Sequence, residues 1–329
     1  MKLFGILIPE FFNPCVINNT FIKYYGVDCS PPLFYVLMTI NQRQSYLFAA
    51  LAILFWSTVS TAFKVSLNQL SPMGLLLISS FVATLFLGTY NLMSGPGFLA
   101  NFLRNLRQSL FAGFLNPFLY YLVLFVAYDR LRAQEAQALN YTWAIILSLF
   151  SVLFLRERLR LKDLLALTVS LFGVVIISSK GQLLAMQFDD ILGTGLALGS
   201  SFIWAAYWIL SMKDKRPNPV KLFYNFLVGF MLITMSVFAF QVSILEKSAA
   251  FSYGLLGSVW VGIFEMGLTF LLWLKALQLT ENTAKISNLI FLTPFVSMLF
   301  IFTILKEPIH PATIVGLLLI VLSNVFQKS

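Results

Sequence analysis

Tyr253–Leu277 reads YGLLGSVWVGIFEMGLTFLLWLKAL. As a helix, these residues extend about 37 Å, enough to cross a hydrocarbon core of about 30 Å. Glu265 sits near the middle and Lys275 near the end. Holding a charged residue at mid-bilayer costs about 2.5–3.5 kcal/mol for Asp, Lys or Arg on insertion scales. Such a residue faces the interior of a bundle or a watery cavity rather than lipid. Ser258, Gly262, Glu265 and Thr269 fall on one face of a regular helix, a narrow polar stripe on an apolar rod. Glu265 reads either as a structural partner for a neighbouring helix or as part of a substrate or proton site.

Composition places the whole chain in the same environment. Of 329 residues, 59% are hydrophobic and 11% charged, against about 45–50% and about 25% in soluble domains. The formal net charge of +9 is therefore read as loop charge and not as a nucleic-acid surface. Cys15 and Cys29 form no CxxC pair, and His310 is the one histidine. No metal site, cofactor motif or disulfide framework follows from these residues.

Residues 1–37 differ from the rest. Pro9, Pro14, Pro31 and Pro32 interrupt them, and their apolar runs are too short to span. They read as an N-terminal extension outside the bundle, either upstream of a natural start at Met38 or a real but loosely ordered N-terminal tail. From Tyr46 onward, apolar segments recur near 46–66, 72–94, 108–128, 134–155, 163–179, 191–212, 221–243, 252–277, 282–304 and 311–327. Breakers and charges separate them, such as Ser94-Gly95-Pro96-Gly97 and Lys306-Glu307-Pro308. With both termini cytoplasmic, 14 Lys and Arg lie on the inner side and 6 on the outer. This bias predicts a multi-pass protein of the cell membrane with both ends inside.

The two halves match at an offset of about 149 residues. LFWS (54–57) answers FIWA (202–205), so Trp56 corresponds to Trp204. GFLNPFLYYLVLFVA (113–127) answers GIFEMGLTFLLWLKA (262–276), which sets Asn116 opposite Glu265. FLRERL (154–159) answers ILKEPI (304–309). Five spans per half invert the second copy relative to the first, and inverted repeats with a site at their interface mark secondary transporters. The fold read here is all-α and integral to the membrane. It has ten transmembrane helices as two inverted five-helix repeats, 38–180 and 181–329.

The paired tryptophans, the Arg-Glu-Arg-Leu and Lys-Glu-Pro helix ends and the five-plus-five layout resemble the drug/metabolite transporter superfamily, and within it the EamA family. The resemblance covers Met38 to Ser329. Asn140-Tyr141-Thr142-Trp143 and Phe202-Ile203-Trp204-Ala205-Ala206-Tyr207 are similar to the aromatic amino-acid exporter branch. That branch usually carries Pro after the tryptophan of the first motif, where this chain has Ala144. The resemblance implies a basket of helices 1–4 and 6–9 around a central cavity, with helices 5 and 10 at the side and available for a homodimer. It also implies alternating access without ATP, and the sequence contains no P-loop.

The candidate cavity residues are Glu265, Asn116, Asn140, Tyr141, Trp143, Trp204, Tyr207 and Lys275. Aromatic rings beside Asn140 and Glu265 suit an amphipathic substrate bearing an amino group. Asn116-Pro117 interrupts helix 3 and suits a kink or gate. The leading expectation is a secondary transporter, an exporter of a small metabolite such as an amino acid. The alternatives are a receptor or scaffold without transport and a membrane-embedded enzyme. The enzyme reading lacks a cluster of His, Asp or Cys.

Overall fold

The computed structural model describes residues 41–155, 161–181, 190–245 and 251–328. The expected N-terminal extension, the start at Met38, both cysteines and the Arg156–Arg160 helix end lie outside the described residues. The chain is helical throughout its described length. Helices α1 (Gln42–Leu67), α2 (Pro72–Met93) and α3 (Phe102–Gly113, Phe114–Leu119, Tyr120–Arg130) lead into α4 (Ala133–Asn140, Trp143–Leu155) and α5 (Leu161–Ser178). The second half contains α6 (Ile191–Lys213), α7 (Asn218–Phe240) and α8 (Phe251–Trp260, Val261–Leu268, Thr269–Leu279). It ends with α9 (Thr283–Asn288, Leu289–Leu292, Thr293–Phe300, Ile301–Leu305) and α10 (Pro311–Lys328). Among the described residues, six of these helices are long and apolar enough to cross a membrane: α1, α2, α3, α6, α7 and α8. Leu164–Ser178, Leu289–Leu305 and Pro311–Phe326 are shorter apolar helices. The protein is thus a multi-pass membrane protein.

Local chemistry starts and stops the helices where the polar breaks occur. Asn41 caps α1 by accepting from the Gln44 N–H at 3.1 Å, and Ser71 caps α2 through the Gly74 N–H at 3.0 Å. Asp190 caps α6 through the Gly193 N–H at 2.7 Å and pairs with Arg130 at 2.9 Å. The N–H bond first, and then the guanidinium, hold its carboxyl below the usual carboxylate range. At their far ends, Gln241 and Lys306 turn left-handed to close α7 and α9.

Three helices depart from the sequence expectation by three residues or more, the first being α1, which starts at Gln42 rather than near 46 because Asn41 caps it. Helix α3 starts at Phe102 rather than near 108 because Arg216 reaches across to the Asn105 carbonyl (3.0 Å) and Ser109 Oγ (2.9 Å), anchoring an amphipathic first turn. Helix α7 runs 218–240 rather than 221–243, since Pro219 occupies its first turn and Gln241 has φ 50°.

The packing is inside-out relative to a soluble protein. Large apolar side chains such as Phe81, Leu153, Phe238 and Phe240 are exposed, while Ser57, Ser79, Ser200, Ser258 and Ser297 are fully buried. Small and hydroxylated residues let helix backbones approach in lipid, where hydrophobic burial gives no drive between helices. The pairings follow the two-repeat pattern. In the first half, α1 packs on α8 and α9, and its counterpart α6 packs on α3 and α4. Likewise α2 packs on α8 as α7 packs on α3, while α2 meets α7 and α5 meets α10. A Cβ on Gly113 would come 2.6 Å from the Asn225 carbonyl oxygen, and one on Gly262 would come 2.7 Å from that of Ser79. The same close crossing is therefore built twice.

The α5–α10 pair crosses at Gly173 and Gly316. A Cβ on Gly173 would lie 2.7 Å from the Gly316 carbonyl oxygen, and the reciprocal distance is 2.6 Å. Gly316→Leu must push the two helices apart, and overpacking of this kind costs about 1–3 kcal/mol. The variant is expected to melt at a lower temperature in detergent than the parent, while its apparent affinity for substrate is unchanged. Equal melting temperatures would refute the crossing.

Candidate functional site

The site begins with two irregular turns. Residues 261–268 of α8 widen into a π-helical turn, while the matching stretch 114–119 of α3 kinks at Asn116, whose φ of −145° and ψ of 118° are extended rather than helical, just before Pro117. At the offset of 149, these turns occupy the same position in each half, with Asn116 in one and Glu265 in the other. A π turn inserts one extra residue and rotates everything after it. In α8, Thr269 donates back to the Phe264 carbonyl across the widened turn and is fully buried. The stripe expected from a regular helix is therefore divided. Ser258 and Gly262 pack on α2 at Ser79, Thr269 turns inward on its own helix, and Glu265 alone meets the cavity. Phe270 and Trp273 come round to the cavity side instead.

Two further breaks lie at matching positions. Helix α4 is interrupted at Tyr141 and Thr142, and α9 tightens over Leu289–Leu292. The α4 break is clamped by α6: Asn140 Nδ2 donates to Ser200 Oγ at 2.9 Å, and Ser201 Oγ donates to the Asn140 carbonyl at 2.9 Å. In the other half, Ser57 of α1 donates to the Thr293 carbonyl of α9 at 3.1 Å. Serines on the first helix of each half thus satisfy carbonyls that the broken helix leaves open.

These elements enclose a cavity of about 370 Å³ between α1, α3, α4, α6, α8 and α9. Ten of its lining side chains are aromatic, including five of the six tryptophans of the chain: Trp56, Trp143, Trp204, Trp208 and Trp273. Six of the rings, Tyr120, Trp204, Trp208, Phe270, Trp56 and Trp273, form one directly connected set. Trp204 stacks on Tyr120 at 4.5 Å between centroids and meets Tyr207 and Phe270, and Phe270 leads to Trp56 at 5.6 Å. Glu265 is the one ionisable acid in the lining, which contains no Lys, Arg or His. Its Oε1 accepts from the Tyr121 hydroxyl at 3.1 Å.

Of the expected site residues, Glu265, Asn140, Tyr141, Trp143 and Trp204 line this cavity together. Tyr207 lies behind Trp204, 3% exposed, with Asn225 Nδ2 donating to its hydroxyl at 3.4 Å. Asn116 is 1% exposed beside that hydroxyl and outside the lining. The two halves therefore break at matching positions but differ in local backbone and in chemistry: one offers a carboxylate to the cavity, the other a sealed amide. Lys275 lies on α8 outside the lining. Sequence reasoning missed Tyr121, Tyr128, Trp208 and Trp273. The available signal was tryptophan placement, since five of six fall within spans that share one cavity.

At the end of the bundle bearing the α3–α4 and α9–α10 turns, the cavity is capped by hydrogen bonds. Gln134 Nε2 donates to the Pro308 carbonyl at 2.8 Å, and Gln134 Oε1 accepts from the His310 N–H at 2.9 Å. Glu307 accepts from the Ala133 N–H at 3.3 Å. His310 caps α10 by accepting from the Ala312 N–H at 3.2 Å. Toward the other end, the lining continues through Leu147, Met212, Leu277 and Ile290.

Comparison with known proteins agrees with this architecture. The model of the EamA-like transporter family matches twice, over residues 43–179 and 191–326. An uncharacterized transporter of Archaeoglobus fulgidus is 25% identical over 277 residues, covering 83% of this chain and 94% of that protein. The uncharacterized transporter YvbV of Bacillus subtilis is 26% identical over 222 residues, covering 65% of this chain and 69% of its own. A solved crystal structure superposes with a TM-score of 0.60 over 86% of this chain and 95% of that one, at 21% identity, and shares the fold. With both halves matched by the same family, one copy in each, the chain belongs to the EamA-like transporter family and is a membrane transporter.

Proposed function

We propose that the protein is a secondary transporter that exports a small metabolite carrying a cationic amine, an amino acid being one such compound, by alternating access without ATP. The observation that carries this reading is Glu265. It is a lone carboxylate in an aromatic cavity at mid-helix, with a tyrosine hydroxyl and no basic group beside it. Its charge needs a counter-ion, and a substrate amine or a coupling proton supplies one. Alternating access would use the paired breaks, with the halves 38–180 and 181–329 as inverted repeats of five spans rocking about the cavity. In this reading both termini are cytoplasmic, and the Gln134–Pro308–His310 contacts close the outer side. Helices α5 and α10 stand apart and leave a face for a second copy.

The direct test is counterflow in proteoliposomes, using compounds found by screening metabolite export from overexpressing cells. Absence of any flux above empty vesicles would sink the transporter mechanism. Topology is tested separately: a reporter fused after Lys328 is expected on the cytoplasmic side, and an external readout would refute the ten-span count. A chain starting at Met38 is expected to insert and transport like the full chain, and loss of either would place residues 1–37 in the functional unit.

A further inference from the structure

The polar groups of the cavity favour one charge type over another. Glu265 accepts its hydrogen bond from neutral Tyr121 and faces no cationic group. Gln137 adds a carbonyl oxygen, Oε1, with no partner among the described residues. The comparable donors in the lining are neutral, the indole Nε1 of Trp208 and the hydroxyl of Thr293, both also without a partner among the described residues. A zwitterionic amino acid entering here would satisfy Glu265 with its ammonium. Its own carboxylate would then be stripped of water with no Lys, Arg or His in the lining to receive it. A buried charge without a charged partner is strongly disfavoured, and neutral indole and hydroxyl donors do not replace a cation. The π faces of the aromatic wall carry negative charge, so they attract a cation and repel an anion.

We propose that the cavity is built for a monovalent organic cation with a flat ring body, an arylalkylamine, and that it discriminates against the corresponding amino acid because of the added carboxylate. This rests on the reading of the cavity as the transport site and narrows its substrate class. The ring would lie against the Trp204–Tyr120 stack and the ammonium would meet Glu265. The volume of about 370 Å³ holds one such molecule, toward the lower end of the ~300–1,000 Å³ typical of ligand pockets.

The test uses matched pairs that differ only by a carboxylate: tryptamine against tryptophan, and phenethylamine against phenylalanine. Radiolabelled tryptamine is bound to the purified full-length protein in detergent at pH 7 and displaced by each unlabelled compound. The amines are expected to compete at least ~10-fold better than their amino acids, the charge-burial penalty setting the difference. Glu265→Gln is expected to lose tryptamine binding and Glu265→Asp to keep part of it. Three results overturn the proposal: amino acids that compete as well as the amines, no saturable tryptamine binding by the wild type, or unchanged binding by a folded Glu265→Gln variant. The wild-type comparison stands even if the variants fail to fold. Flux is read independently in vesicles. Tryptamine that binds through Glu265 but does not cross would sink the transporter mechanism and leave this assignment intact. Flux of amino acids and amines alike would do the reverse.

Discussion

Glu265→Gln is expected to abolish net transport while leaving expression and membrane insertion near wild type. The substitution preserves size and one acceptor oxygen, so the Tyr121 hydroxyl keeps a partner. What it removes is the only ionisable acid in the cavity lining. If that charge binds the moving species, the loss should reach about 100-fold, equivalent to about 2.7 kcal/mol. Because a neutral amide is cheaper than a carboxylate at mid-bilayer, stability should hold or rise. Melting curves and vesicle flux on the same preparation read both effects. Flux at the wild-type rate, with an unchanged dependence on pH, would reduce Glu265 to a structural role.

Trp204→Ala is expected to be the next most damaging single change. Its ring stacks on Tyr120 and Tyr207 and touches Trp208 and Phe270, and it is only 8% exposed. Removing a buried aromatic ring costs about 3–5 kcal/mol in a packed core. The alanine variant should therefore melt earlier and need at least ~10-fold more substrate for half-maximal flux, since aromatic contacts add about 0.5–1.5 kcal/mol each. Trp204→Phe keeps a ring in place and should restore stability first and affinity in part. If Trp204→Ala shifts melting but not the half-maximal concentration, the stack serves packing alone.

The span pattern was legible because apolar runs and their breakers are local features. Ser71-Pro72, Gly95 and Lys306 mark ends in the sequence and mark them in the structure. Glu265 was legible for the same reason: a carboxylate in a 25-residue apolar run is costly wherever the chain goes. The cavity lining was only partly legible. A regular 3.6-residue period places Thr269 beside Glu265, whereas the π turn at 261–268 hides Thr269 and brings Phe270 and Trp273 round. The interruption of α4 at Tyr141 and Thr142 contains neither Gly nor Pro. It is held by Ser200 and Ser201, about sixty residues on, so no local signal announces it. Repeat symmetry pairs Asn116 with Glu265 and sets a break at both, but the kink before Pro117 and the π turn of α8 aim the two side chains differently.

The crosswise pairing of the halves also has a consequence for biosynthesis. Helix α1 finds its main neighbours in α8 and α9, and α5 finds its own in α10. At ~5–20 residues per second, α8 emerges from the ribosome about 10–40 s after α1. During that interval the first five helices sit in the bilayer with Ser45, Ser57 and Ser79 lacking the second-half carbonyls they eventually bond. They must be shielded by one another, by lipid or by the insertion machinery until synthesis is nearly finished. The first half expressed alone is therefore expected to be cleared by membrane quality control, and supplying the second half as a separate chain should rescue it.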